Sequence, residues 1–428
     1  MKVQSPGPRV ASARSLRRLL PCLLLAAGCT PPEGDNDPGE LTEGSDSGTT
    51  AGGGESDASA GASGSESTSS GESTSGSEST SGSGSTSGSG STGSGESTGD
   101  ETSDSGETSD SGETVETETE TEGASCDDVA PVFNDAMFDV AVTEDLVYGQ
   151  GLAHAEWGAE EGTPVDLLLD VYEPIRDDAV CMPVVVMVHG GGFVNGSQKH
   201  GPLSDMAEWF AARGWVAFSI TYRLADDHGT LPLDYPAPPE ELPDNTKQQW
   251  NALYPACRDG KAAIRWIRAH AGEYRLHTDF ITAVGGSAGS IISVALGVTD
   301  EEDCRGETLS VRDPTLEGTH LEQSSAVATV IDHWGSAYIP TVLELMGGGD
   351  RFDPTDAPLS IVHGTEDGTV PFSEAEHLRD KYEMTGVPYA WYPLEGAGHA
   401  VWDASVDGEP LVQVAADFII AQQGLELQ

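Results

Sequence analysis

The stretch Ala283-Val284-Gly285-Gly286-Ser287-Ala288-Gly289-Ser290 decides the fold. Thr278-Asp-Phe-Ile-Thr-Ala-Val-Gly285 leads into it and reads as a short buried strand. Ser290-Ile-Ile-Ser-Val-Ala-Leu-Gly297 follows and reads as a helix. Gly285-x-Ser287-x-Gly289 therefore falls where a strand turns sharply into a helix. Such a turn is strained and needs small residues beside its apex. The serine at the apex is displayed at the top of a sheet. Its backbone N–H sits at a helix N-terminus, where negative charge is favoured.

Outward from this turn the chain alternates between two patterns. Residues 138–143 and 165–172 read as early strands. Residues 182–188 form a continuous apolar run, as a strand buried on both faces requires. A helical spacing over 203–213 stops at Gly214, and 215–221 is the next buried strand. Residues 224–255 are rich in proline and acid, and so long a connection reads as a functional loop or partial lid. A helix is expected over 256–271, ahead of the Ser287 strand. Beyond the Ser287 helix come a polar excursion (299–325), strands at 326–331, 357–362 and 388–392, and helices near 373–385 and 408–422. Strands alternating with helices imply an α/β fold, a mostly parallel sheet covered on both faces. Sites in such sheets form outside the carboxyl ends of the strands.

Three further strand ends carry residues that serine chemistry needs. His189-Gly190-Gly191-Gly192-Phe193 follows strand 182–188. Consecutive glycines let backbone N–H groups approach a developing oxyanion to about 3 Å. Gly191 and Gly192 are the expected donors, with Ala288 N–H as a third. His363-Gly-Thr-Glu-Asp-Gly368 follows strand 357–362 and supplies Asp367 as the orienting carboxylate, with Glu366 as its rival. His363 itself, at the strand end, reads as a structural hydrogen-bonding residue. Gly396-Ala-Gly-His399 follows the last strand and supplies His399 as the base. The order is then Ser287, Asp367, His399. His333 is placed on the pocket wall, and His154, His200, His228, His270, His277 and His377 on the surface.

The first 125 residues have another composition. Lys2, Arg9, Arg14, Arg17 and Arg18 precede a short apolar run that ends Leu25-Ala-Ala-Gly-Cys29. This is the pattern of a secretory signal, residues 1–29. Its end resembles a bacterial lipobox, in which Cys29 would be lipidated. Residues 30–125 contain 22 acidic and no basic side chains among Ser, Thr and Gly, and almost nothing apolar. Such a segment reads as a disordered tether. Residues 126–428 are long enough for one large domain. The whole chain carries a net charge of −52, of which about −35 falls on this domain. That argues against nucleic acid or an anionic lipid surface as a partner, and leaves membrane attachment to Cys29. Cys126, Cys181, Cys257 and Cys304 remain after export and permit two disulfides in three connectivities. Cys257–Cys304 is the preferred pair. Their wide spacing, with no CxxC, gives no zinc pattern.

Taken jointly, these residues resemble the α/β-hydrolase superfamily, and within it the carboxylesterase and acetyl-esterase branch with an HGGGF loop, akin to hormone-sensitive-lipase-like enzymes. Val188-His-Gly-Gly-Gly-Phe193, Tyr222-Arg-Leu224, Asp259-Gly-Lys-Ala-Ala-Ile-Arg-Trp-Ile267, Gly285-Gly-Ser-Ala-Gly289, His363-Gly-Thr-Glu-Asp-Gly-Thr-Val-Pro371 and Gly398-His399 carry the likeness over residues 165–420. The chain departs from it at Ser290, where many relatives have glycine, and across 224–255. The resemblance implies a serine esterase that needs no metal or organic cofactor. The resemblance further implies action on short acyl esters such as acetate, free or attached to polysaccharide. A peptidase on the same fold, and a non-catalytic surface binding protein on this scaffold, are the alternatives.

Overall fold

A computed structural model describes residues 126, 128–305 and 311–428. The signal, Cys29 and the tether lie outside the described residues. Strand β3 (Met182–Val188) is buried along its whole length. Val184, Val186 and Val188 face one side of the sheet, and Val185 and Met187 the other. A strand with two apolar faces belongs at the centre of a sheet, and this one lies between β4 (Val216–Ile220) and β5 (Leu276–Gly286), parallel to both. The full order is β1-β2-β4-β3-β5-β6-β7-β8. It is completed by β1 (Val140–His154), β2 (Gly162–Pro174), β6 (Thr329–His333), β7 (Leu359–Gly364) and β8 (Tyr389–Leu394). β2 runs antiparallel to both β1 and β4, and the other neighbours are parallel.

Among the described residues, six helices of two turns or more accompany the sheet: α1 (Gly201–Ala211), α2 (Asp244–Ala269), α3 (Ala288–Val298), α4 (Tyr338–Leu345), α5 (Phe372–Thr385) and α6 (Leu411–Gln423). Phe210 of α1 and Phe418 and Ile419 of α6 pack with Val185, Met187 and Val284 on one face. Ile264 of α2 and Ile292 of α3 pack with Val184, Val186 and Ala283 on the other. The sheet is thus covered on both sides. The loops after β3, β5, β7 and β8 then meet at the carboxyl edge.

Two expectations are corrected. The connection 224–255 does not remain a loop, because α2 begins at Asp244, three turns earlier than its apolar spacing suggested. Trp250, Leu253 and Tyr254 are buried before Pro255, and the helix runs through that proline. The preferred disulfide is also wrong. Cys126 is bonded to Cys181, with Cα atoms 5.5 Å apart, while Cys257 and Cys304 are buried thiols. The cause is backbone placement. Ala130 N–H donates to Cys181 O (2.8 Å), and Val129 bridges Cys181 in parallel, so the start of the domain lies along the entrance to β3. Cys257 sits in the interior of α2.

Candidate active site

Ser287 stands at the junction of β5 and α3 with φ 55° and ψ −121°, a conformation non-glycine residues seldom adopt. Its N–H donates to His333 O (2.9 Å), and its C=O accepts from Ile291 N (3.1 Å), which lock the turn on both sides. Crowding accounts for the flanking glycines. A Cβ on Gly289 would overlap the Val188 carbonyl, and one on Gly285 would overlap the backbone of Gly289. β3, β5 and α3 can approach this closely because those side chains are missing.

The loops bring His399 and Asp367 to the serine. Ser287 Oγ lies 2.9 Å from His399 Nε2, and His399 Nδ1 lies 2.7 Å from Asp367 Oδ2. Asp367 is buried in the turn after β7, where its Oδ1 accepts from Thr369 N (2.8 Å) and Val370 N (2.9 Å). Burial would raise this carboxyl, but bonds from His363, His399 and Thr369 N–H outweigh it and hold the group well below the usual carboxylate range. Glu366, the rival acid, is exposed.

The glycine loop closes the other side. Gly191 (φ 113°), Gly192 (φ 62°) and Phe193 (φ 61°) all adopt the left-handed region. Behind them His189 stacks on Tyr222 at 4.3 Å, and Tyr222 Oη donates to His189 O (2.8 Å). Burial drives His189 down to about 4, so this imidazole is neutral. Gln249 of α2 donates from Nε2 to Gly192 O (2.9 Å). A carbonyl can only accept, which fixes the amide's orientation. Gly190, Gly191, Gly192 and Ala288 line the same cavity as Ser287 and His399.

That cavity measures about 440 Å³. Its wall is mainly apolar: Phe193, Val194, Leu253, Ile291, Trp334, Tyr338, Val370 and Trp402. Asn195, His200, Asn245 and Gln249 add polar groups. Asn245, Gln249 and Leu253 come from one face of α2, at intervals of four. That spacing is visible in the sequence but falls within 224–255, whose prolines and acids read as a loop. Trp334, Tyr338 and Trp402 had no local motif to mark them. His333 is not on the wall; it is wholly buried behind the turn, with Nδ1 3.2 Å from Gly285 O, and burial lowers it to about 4. Of the histidines expected on the surface, His154 is buried against Thr230 (2.9 Å) and His200 lines the cavity. His228, His270, His277 and His377 are half-buried outside it. Among the described residues no cluster of three or more His, Cys, Asp or Glu side chains is placed to hold a metal ion.

A hydroxyl, an imidazole and a carboxylate in one hydrogen-bonded chain can move a proton away from the hydroxyl, and backbone N–H groups beside it can receive negative charge. With the sheet order above, this site defines the class: the chain has the α/β-hydrolase fold, with a serine, a histidine and an aspartate in contact at the carboxyl edge of its sheet. A family model described as BD-FAE matches residues 169–234 and 245–347. Esterase LipC of Mycobacterium tuberculosis is 25% identical over 259 residues, 54% of this chain and 56% of that protein. The same organism's probable carboxylic ester hydrolase LipM is 22% identical over 288 residues, 60% of this chain and 57% of its own length. The match thus spans little more than half of these curated relatives. Among solved structures, the apo form of Thermogutta terrifontis esterase 2 is similar with a TM-score of 0.46 and 22% identity, covering 68% of this chain and 97% of that one.

Proposed function

We propose that the chain is a serine esterase that hydrolyses carboxylic esters through an acyl-enzyme. The observation that carries this reading is the unbroken chain Ser287 Oγ, His399, Asp367 opening into a glycine-lined cavity. Ser287 Oγ adds to the ester carbonyl as His399 Nε2 takes its proton. The oxyanion is received by the N–H groups of Gly191, Gly192 and Ala288. His399 then returns the proton to the departing alcohol, leaving the acid esterified to Ser287. A water, deprotonated by His399 in turn, releases it. Asp367 remains ionised and holds the imidazole's Nδ1–H.

The cavity bears on the substrate. At roughly 30 Å³ per water, its 440 Å³ far exceeds an acetyl group. A short acyl group such as acetyl, small or polysaccharide-linked as a whole ester, would occupy one corner. The aromatic wall would receive the larger remainder. We further propose that the protein is exported and held at the cell envelope through lipid on Cys29, which the residues before it support. The test of activity is hydrolysis of a p-nitrophenyl ester series by the full chain. Acetate should be turned over, and Ser287→Ala should lower kcat by at least ~10⁴-fold. Equal rates for the two proteins would end the reading.

A further inference from the structure

A second cavity, of about 260 Å³, lies beside α2 and shares no lining residue with the one at Ser287. Asn251 lines this cavity and Gln249 lines the other; two residues along a helix turn the side chain by about 200°. Trp250, between them, is wholly buried. The walls come from four separate stretches: the β1–β2 connection, residues 230–237, α2, and the polar excursion at Arg312. Residues 230–237 belong to the part of 224–255 that α2 does not absorb. They are braced by side chains on all sides. Trp250 Nε1 donates to Pro236 O (2.9 Å), Tyr235 Oη donates to Trp250 O, and Arg312 Nη1 donates to Leu231 O (2.7 Å). His154 and Thr230, each less than a tenth exposed, bond to each other (2.9 Å), and His154 Nδ1 lies 2.9 Å from Glu161 O. A cavity held this way has its shape before a ligand arrives, and binding then orders little.

Two lining side chains keep donors to spare. Arg312 commits Nη1 to Leu231 O, but its Nε and Nη2 donate to none of the described residues, and none of their carboxylates pairs with it. Its neighbour Asp313 is turned instead to Arg258 (3.2 Å) and Arg223 (3.7 Å). The Asn251 side chain likewise bonds to none of the described residues. In so acidic a domain, an uncancelled guanidinium in a hollow marks a place for an anion. Nε–H and Nη2–H form a fork that matches the two oxygens of a carboxylate, which can only accept. A phosphate would bring further charge, and Arg312 is the one permanent cation among the described lining residues. Pro232, Leu233, Tyr235 and Ala237 supply an apolar wall, with Leu233 85% exposed. At roughly 30 Å³ per water the cavity holds about nine waters, the room of one substituted ring. We propose that this cavity is a second binding site, separate from the esterase centre, for a carboxylate borne on a ring. The carboxylate meets Arg312 and Asn251, and the ring lies against Leu233 and Pro232. An aromatic acid and a sugar acid share that chemistry.

The experiment titrates the full chain, labelled with ¹⁵N-asparagine, and follows the side-chain amide of Asn251, assigned by its loss in Asn251→Asp. The probes are benzoate and glucuronate, with benzamide and glucose as their uncharged counterparts. At least one acid should move the amide signal and saturate it with a Kd on the order of 1 mM, and the acid that does so tells the aromatic body from the sugar. Its uncharged counterpart should bind at least about tenfold more weakly. Arg312→Gln should weaken the acid by a similar factor, and Arg312→Lys, which keeps the charge, by less. A signal unmoved by both acids up to about 50 mM, some fifty times the expected Kd, overturns the proposal. So does equal binding of an acid and its uncharged counterpart, or equal binding by wild type and Arg312→Gln. The comparison of acid with uncharged counterpart uses the wild type alone, so it decides the matter even where a variant does not fold. Ser287→Ala should bind the acid as wild type does. The outcome is therefore independent of the esterase reading.

Discussion

Gly286 and Trp402 show how single residues shape the cavity. A Cβ on Gly286 would come within 2.6 Å of Trp402 Cη2, so the indole edge rests on the backbone beside Ser287. Trp334, wholly buried at φ 47°, meets Trp402 edge to face at 4.8 Å, and its ring stands 6.2 Å from His399. The pair forms a stiff aromatic wall against which a substrate group must fit. Trp402→Ala should shift the ester series toward bulkier members, changing the ratio of kcat/KM between a large and a small ester by about tenfold. An unchanged ratio would show that the indole does not border bound substrate. At this scale the sequence was informative where chemistry demands a residue type at a strand end, as at Ser287, Asp367 and His399. It was silent about Trp334 and Trp402, whose role arises from packing between loops far apart in the chain.

At the scale of elements, α2 joins the core to the cavity. Its first three turns present Asn245, Gln249 and Leu253 to the site, and Gln249 steadies the glycine loop through Gly192 O. Its middle carries Asp259, which receives Arg223 in a two-point bond (2.8 Å to each oxygen) just after β4. Arg258 and Asp313 extend this into a buried ion network that ties the polar excursion to the helix. A buried pair contributes little against an apolar replacement, but breaking it leaves an uncompensated charge. Asp259→Asn should therefore cost about 3–5 kcal/mol, read as a lower urea midpoint with an unchanged slope. A loss below ~1 kcal/mol would show that water reaches the arginine. Central strands were legible because apolar runs such as 182–188 leave no other reading. The start of α2 was not, because Pro243 and Pro255 punctuate a stretch whose helical spacing spans them. The same holds for α4, short and carrying Pro340.

For the molecule as a whole, composition sets residues 30–125 apart from the rest of the chain, and alternating patterns gave the architecture of residues 138–428. Disulfide pairing was beyond that reach. It depends on residues 129–132 lying along β3 and the C-terminal segment, which spacing does not encode. The loop closed by Cys126 and Cys181 spans 55 residues, for which chain entropy alone gives about 4 kcal/mol. The proposed envelope anchor is tested by growth with radioactive palmitate. Wild type should carry label and Cys29→Ala should not, and label retained by the variant would rule out lipid at that cysteine.

The Cys126–Cys181 bond also determines how the domain bears tension. Cys181 immediately precedes β3, at the end of that strand opposite Gly190–Gly192, and β3 is flanked by β4 and β5. Traction along the chain ahead of residue 126 would pass covalently into the middle of the sheet, without first peeling β1 from its edge. The load enters at the pole remote from Ser287, so the mouth of the cavity can stay in register while the other end is hauled.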